Sequence, residues 1–233
     1  MYRALFPWAV RRADRFIAVS RYTADDLIRR ERIPASRIDV VYHGLDPLFL
    51  APPRPAPQGE PPYFLAVGGV SPRKNTRRLI EAFTRWRARG GARATHQLYI
   101  TGMSLDHDFL AGGELPPGVR LLGYVDKAAL PGLYAGATAF LYPGIYEGFG
   151  LPIVESMACG TPVMTSTTGA APEIAGGAAV LVDPFDVGGI EDGMEQVTQP
   201  GEAERLRSLG EARVRLFDWG TAAEATIAAY RAR

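Results

Sequence analysis

The chain lacks most of what would commit it to a special class of protein. It holds one cysteine, Cys159, in 233 residues. That excludes a disulfide framework and fits a reducing compartment. No apolar run approaches the ~18 residues of a membrane-spanning helix. Neither sign of charge dominates, with 26 Lys and Arg against 25 Asp and Glu, so no broad basic field invites nucleic acid. Arg3, Arg11, Arg12, Asp14 and Arg15 interrupt the apolar core that a signal peptide would need. A soluble cytoplasmic protein is the expectation. Arg11, Arg12 and Arg15 leave room for peripheral contact with the inner face of the membrane or with an acceptor phosphate, although their plainer reading is a solvated helix face. Histidine is scarce, and the three present do not cluster.

What the chain does have is punctuation. Residues 51–62 are half proline, an extended, stiff linker. Before it, Phe16–Val19 reads as a buried strand ended by Ser20. Thr23 caps a helix running to Arg30, and a second strand, Asp39–Tyr42, leads into His43-Gly44-Leu45-Asp46. After it, short apolar runs alternate with amphipathic ones. Strands are expected at Tyr63–Val67, Gln97–Thr101, Val119–Leu122, Ala139–Tyr142, Pro162–Thr165 and Ala179–Val182. Helices are expected near Thr76–Arg89, Lys127–Ala135, Leu151–Ala158 and Pro172–Ala175, with a mostly helical tail over Asp186–Arg231. Asn75 looks like an N-cap, and Gly90, Gly91 and Gly160 like helix stops. This alternation implies an α/β chain, a Rossmann-like parallel sheet with helices on both faces. Such sheets bind ligands beyond the carboxyl ends of their strands.

Three loops at such ends carry chemistry. The most informative is Glu147-Gly148-Phe149-Gly150-Leu151-Pro152-Ile153-Val154-Glu155. Two carboxylates bracket a glycine turn, and Pro152 suits the first turn of the helix that follows. The glycines admit a ligand close to the backbone, and the helix start favours an anion or a sugar hydroxyl. Carboxylates beside an anion site are poor at gripping the anion but good at accepting hydrogen bonds from a polyol attached to it. The chemistry therefore suggests a nucleotide sugar.

The second loop, Gly68-Gly69-Val70-Ser71-Pro72-Arg73-Lys74-Asn75, places glycines and two cations where a diphosphate would sit. Arg73 or Lys74 would neutralise charge growing on a leaving diphosphate. A solvated pair near a helix start is the plainer reading. The loop is neither a Walker loop nor a Gly-x-Gly-x-x-Gly fingerprint. The third loop, Thr165–Glu173, offers Thr168 and Gly169 to a phosphate, or else forms a plain turn before the next helix. Asp106-His107-Asp108 has the look of a metal-binding Asp-x-Asp but reads better as a local cap. Cys159 and the lone His43 read as structural.

Together these segments resemble a family. The Glu-x7-Glu spacing of Glu147 and Glu155, Gly160-Thr161-Pro162-Val163, Pro172-Glu173-Ile174 and the Ala178–Pro184 stretch are similar to the retaining nucleotide-sugar glycosyltransferases of family 4, with the GT-B fold. Ala13–Ser20 and Val40–Asp46 match that family's approach to its interdomain crossover. The resemblance covers nearly the whole chain and implies its organisation. Residues 1–50 would be the last elements of an N-terminal acceptor domain, 63–215 the nucleotide-sugar domain, and 216–233 a C-terminal helix crossing back toward the acceptor side.

The resemblance also implies roles. Glu147 would lie by the donor sugar and Glu155 by the ribose. The backbone of Phe149, Gly150 and Leu151 would line the sugar-diphosphate, with Gly69, Thr168 and Gly169 nearby, and Lys74 would contact the diphosphate. No metal or other cofactor is implied. Gly69 stands where many members carry Arg, and Arg73, adjacent to Lys74, is expected to take over that charge. His43 stands where many have Asn. The Pro-Arg-Lys-Asn run resembles a mannosyltransferase subset of bacterial polysaccharide assembly, which favours GDP-mannose as donor and a glycan or lipid-linked acceptor. The expected function is hexosyl transfer with retention of configuration, this chain supplying the donor-binding half beside an N-terminal-half polypeptide. The alternative is a non-catalytic nucleotide-sugar-binding or scaffold subunit paired with another transferase chain.

Overall fold

A computed structural model describes residues 8, 10–51, 61–102 and 114–232. Most of the proline-rich stretch and Asp106-His107-Asp108 lie outside the described residues.

Two parallel sheets organise the chain. In the first segment β1 (Phe16–Ala18) pairs with β2 (Ile38–Val40) across helix α1 (Arg21–Glu31). Arg15 joins the pair from outside, its guanidinium bonding both carboxylate oxygens of Asp39 at 2.8 Å. The cap of α1 is Ser20 and not Thr23: the Ser20 hydroxyl accepts the Thr23 amide at 3.0 Å. The helix therefore starts one turn earlier than the sequence suggested, because a serine closing a strand can also open the next helix.

The main sheet has six parallel strands in the order β5-β4-β3-β6-β7-β8. These are β3 (Tyr63–Val67), β4 (Gln97–Thr101), β5 (Val119–Gly123), β6 (Ala139–Tyr142), β7 (Val163–Ser166) and β8 (Ala179–Val182). The chain first winds outward from β3 through β4 to β5. It then returns to the other side of β3 and winds through β6 and β7 to β8. The strand order reverses between β3 and β6, and the crevice beyond their carboxyl ends is where ligands of doubly wound sheets bind.

Helices cover both faces. Helices α2 (Thr76–Ala88) and α6 (Val187–Thr198) bury Leu79, Phe83, Trp86, Ile190 and Met194 against Phe64, Leu98, Leu141 and Met164. On the other face α3 (Leu130–Gly136), α4 (Leu151–Ala158), α5 (Ala171–Ala175) and α7 (Pro200–Val214) pack Tyr134, Ile153, Met157 and Ile174 against Leu65, Phe140 and Val163. Successive strand residues thus feed two different cores, which is why the strands read as unbroken apolar runs and not as alternations. The expected helix over Lys127–Ala135 is shorter. Asp126 caps a 3-10 turn at Lys127–Ala129, and Pro131 then opens α3.

The tail divides into α6, α7 and α8 (Trp219–Arg231). Helix α8 returns to the first segment. Leu45 donates its amide to the Phe217 carbonyl at 2.9 Å, and Gly44 lies so close to Trp219 that an added Cβ would stand 2.4 Å from its backbone nitrogen. No helix among the described residues is long and apolar enough to cross a membrane.

Candidate nucleotide-sugar site

The loops after β3 and β6 meet at the switch point. The Ile145 amide donates to the Arg73 carbonyl at 2.9 Å, which ties the two turns together. Across that junction Glu147, only 8% exposed, takes Arg73 Nη1 at 2.7 Å and Lys74 Nζ at 2.9 Å on the same oxygen, Oε1. Two cations and one buried carboxylate thus converge at the carboxyl end of the sheet. Two cations just ahead of the α2 N-terminus oppose its dipole, and Glu147 offsets that conflict.

Lys74 has a second partner that the sequence did not suggest. Its ammonium lies 4.4 Å from the centroid of the Tyr142 ring and makes a short contact with the Tyr142 hydroxyl. Burial pulls the Lys74 pKa below its usual value, and the Glu147 carboxylate opposes that shift. Burial, with the neighbouring Glu147 charge, pushes the Tyr142 phenol well up. Tyr142 ends β6 and looked like plain strand core. Its hydroxyl is used only because the sheet places it beside the β3 loop.

The glycines of the β3 loop act by closeness. Gly68 and Gly69 have φ of 113° and 73°, and both donate their amides to the Thr101 carbonyl, at 2.9 and 2.7 Å. Gly69 therefore spends its own N–H on the neighbouring strand end. A Cβ on Gly68 would sit 2.7 Å from Lys74 Cε, so this glycine leaves room for the lysine stem. Asn75 occupies the cap position of α2 with φ of 59° but makes no side-chain cap bond. Its amide nitrogen instead donates to the Pro143 carbonyl at 3.1 Å and the Pro184 carbonyl at 2.5 Å. It ties three strand-end loops together.

Thr168 and Gly169 stand behind the Glu147 loop. The Thr168 hydroxyl donates to the Ile145 carbonyl at 2.9 Å, and a Cβ on Gly169 would lie 2.9 Å from the Glu147 nitrogen. The phosphate-contact expectation for these two residues thus meets a different use of their atoms: they support the loop. Phe149 is buried against Tyr42, His43 and Phe217, with the His43 ring 5.0 Å away. Gly150 has φ of 103° at the start of α4 and Leu151 opens the helix, with Pro152 in its first turn.

Glu155 is the fifth residue of α4, one turn into the helix. It accepts the Tyr134 hydroxyl at 3.0 Å. Burial raises its pKa above the usual carboxylate range, and the Tyr134 bond opposes this. Cys159 is buried beside Phe49, its thiol pushed up to about 12 by burial. His43 is packed between Phe149 and Trp219, and burial lowers its pKa.

The doubly wound order, with a cation–carboxylate cluster at its switch point, defines a Rossmann-like unit. Comparison with known proteins identifies which one. A family model described as "Glycosyl transferases group 1" matches residues 61–199, and one described as "Glycosyltransferase Family 4" matches residues 1–49. The chain belongs to the group 1 glycosyl transferases. It is similar to O-antigen chain mannosyltransferase B of Escherichia coli, at 33% identity over 92% of this chain and 60% of that protein. It is also similar to glycogen synthase of Mycobacterium tuberculosis, at 31% identity over 98% of this chain and 56% of that protein. The chain thus spans less than two thirds of the length of these curated relatives.

Among solved structures, Anabaena HepE in complex with UDP and glucose superposes with a TM-score of 0.83 at 21% identity, covering 99% of this chain and 66% of that one. Sucrose-phosphate synthase from Thermosynechococcus elongatus gives 0.81 at 24% identity, covering 98% and 60%. The main sheet is a Rossmann-like unit of the GT-B architecture.

Proposed function

We propose that this chain binds the donor of a retaining hexosyl transfer, with GDP-mannose as donor and a glycan or lipid-linked molecule as acceptor, the acceptor site being completed by a further N-terminal region or polypeptide. The observation that carries this reading is the convergence of Arg73, Lys74 and Glu147 at the switch point. The mannosyl choice rests on the Pro-Arg-Lys-Asn run and on similarity to relatives named as mannosyltransferases, the E. coli protein and RfbU of Salmonella typhimurium among them.

In this reading the diphosphate lies along Arg73 and Lys74 and the hexose hydroxyls face Glu147. The bond from the anomeric carbon to the diphosphate oxygen breaks and leaves negative charge on that oxygen, which the two cations stabilise where it develops. The acceptor hydroxyl attacks from the face the diphosphate leaves, and its proton passes to the departing phosphate oxygen. Glu155, held by Tyr134, takes the ribose hydroxyls. Phe149, Gly150 and Leu151 line the sugar-diphosphate through their backbone, Gly69 borders the donor without a side chain to obstruct it, and Thr168 and Gly169 hold the loop against it. Fixed cations make a metal unnecessary in this scheme.

Calorimetry on the 233-residue chain with GDP, GDP-mannose, UDP and UDP-glucose tests the proposal. Saturable binding of GDP-mannose ahead of UDP-glucose is expected. If no nucleotide diphosphate and no nucleotide sugar binds, the reading fails.

A further inference from the structure

The Glu147 loop is held from a direction that its own sequence does not announce. Ser20 Oγ donates to the Gly148 carbonyl at 2.6 Å, and Thr23 Oγ1 donates to the same oxygen at 3.0 Å. The Tyr146 hydroxyl donates to Asp26 Oδ2 at 2.9 Å, and the Tyr22 and Tyr146 rings meet edge to face at 5.8 Å. Ser20, Tyr22, Thr23 and Asp26 all belong to the cap and first turns of α1, more than a hundred residues away in the chain.

Helix α1 is seated in turn by Glu173 of α5. One Glu173 oxygen accepts the Arg21 amide at 2.7 Å and the Tyr42 hydroxyl at 2.8 Å, and the other accepts the Tyr22 amide at 3.0 Å. With Ser20 on the Thr23 amide, the first three amides of α1 are satisfied, two of them by a carboxylate that is foreign to the helix. A helix start leaves these donors without partners and favours negative charge beside them. Glu173 answers both needs.

Plain packing between segments is the simpler reading, but the pattern is narrower than packing requires. Gly148 and Gly150 flank the loop and bring no side chains of their own to fix it. Two consecutive carbonyls of the loop are pinned by two different elements, Glu147 O by the Ala170 amide at 3.0 Å and Gly148 O by α1. Ala170 caps α5, the helix that carries Glu173. One turn therefore holds the loop directly and also holds the helix that holds the loop.

We infer that Ser20, Thr23 and Glu173 are positioning residues forming a latch that sets the Glu147 loop against the donor hexose, so that seating of α1 and binding of the sugar moiety are coupled. This rests on the proposal that the loop meets the sugar. The latch should govern the gain in affinity on going from a nucleoside diphosphate to its sugar and leave diphosphate binding nearly alone.

The test compares the 233-residue chain with Thr23→Val, Thr23→Ser, Glu173→Gln and Glu173→Ala, using calorimetry with GDP and GDP-mannose, and UDP and UDP-glucose, beside amide hydrogen exchange. Thr23→Val and Glu173→Ala should cut the preference for nucleotide sugar over diphosphate by about tenfold, the scale of one lost hydrogen bond to a constrained group. Thr23→Ser should restore it, Glu173→Gln should fall between, and GDP-mannose should slow exchange at residues 21–23 in the wild type. Equal losses for diphosphate and sugar, no loss in a folded variant, or a wild type without preference would each overturn the latch. If the wild type binds no nucleotide, the functional proposal fails and exchange alone decides. Faster exchange at residues 148–150 in Glu173→Gln and Glu173→Ala then supports the latch, and unchanged exchange rejects it.

Discussion

Lys74 is caught between two demands. Its half-buried ammonium is costly to keep charged, yet Glu147 and Tyr142 hold it in place, and the charge is what a diphosphate would meet. Lys74→Ala should weaken nucleoside diphosphate binding by about 1.5–3 kcal/mol, the loss of one charge-assisted contact. Calorimetry with GDP against guanosine checks this, since guanosine affinity should not change. Glu155 meets the same burial penalty on its charged form, which for an acid shifts the pKa the other way. Its folded pKa lies above the ordinary 4.5, so the folded chain holds that proton more tightly than the unfolded chain does. The resulting stability is fully present below pH 4.5 and is lost as pH rises through the folded value. Glu155→Gln cannot ionise and still accepts the Tyr134 bond. Its melting temperature relative to wild type should therefore climb as pH increases from 4.5 toward neutrality. A difference that does not vary with pH would remove burial as the cause.

At the scale of elements, what the sequence made legible follows from where the physics is local. The six strands of the main sheet were readable for two reasons: the four inner strands are buried on both faces, so their apolar runs are near-continuous, and the edge strands β5 and β8, which expose Arg120 and Leu181, are still short apolar runs with ends marked by glycine or a polar residue. Helix ends came out within a residue or two, except where Ser20 served two elements at once and where Pro131 split Lys127–Gly136 into a 3-10 turn and a helix. The candidate site was half legible. Glu147 and Lys74 carry recognisable spacing, but the residues that hold the site and its loops in place do not. Tyr142 reads as core, Glu173 as part of a helix start, and Asn75 as a cap. Each owes its use to a neighbour brought in by the fold from far along the chain, and no local pattern records that. Asn75 gives the clearest test, because it joins the loops after β3, β6 and β8. Asn75→Ala would leave two buried carbonyls without their donor and force alanine into a left-handed backbone. A loss of about 2–4 kcal/mol in urea unfolding is expected, along with weaker nucleotide binding, since both site loops lose a common tie.

At the scale of the molecule, the first segment and the main sheet are joined on two sides. On one side α1 sits on Glu173 and the Glu147 loop. On the other, the crossover at His43–Leu45 runs against the start of α8. Gly44 is the tightest point there, with no space for a methyl group beside Trp219. Gly44→Ala should push α8 off the crossover at a cost of about 1–3 kcal/mol, as for other overpacked contacts. The change should be visible as a lowered melting temperature and an altered Trp219 emission, with the Glu147 site left intact. Cys159 has a practical consequence for following such movements. It is the chain's one thiol, it is buried, and at neutral pH it is almost wholly protonated. The 233-residue chain is therefore nearly silent toward thiol-reactive dyes. A single cysteine introduced at exposed Arg29 of α1, and a second at exposed Glu204 of α7, would each take label cleanly. A fluorophore pair so placed would report the separation of the first segment from the main sheet without any native cysteine having to be removed.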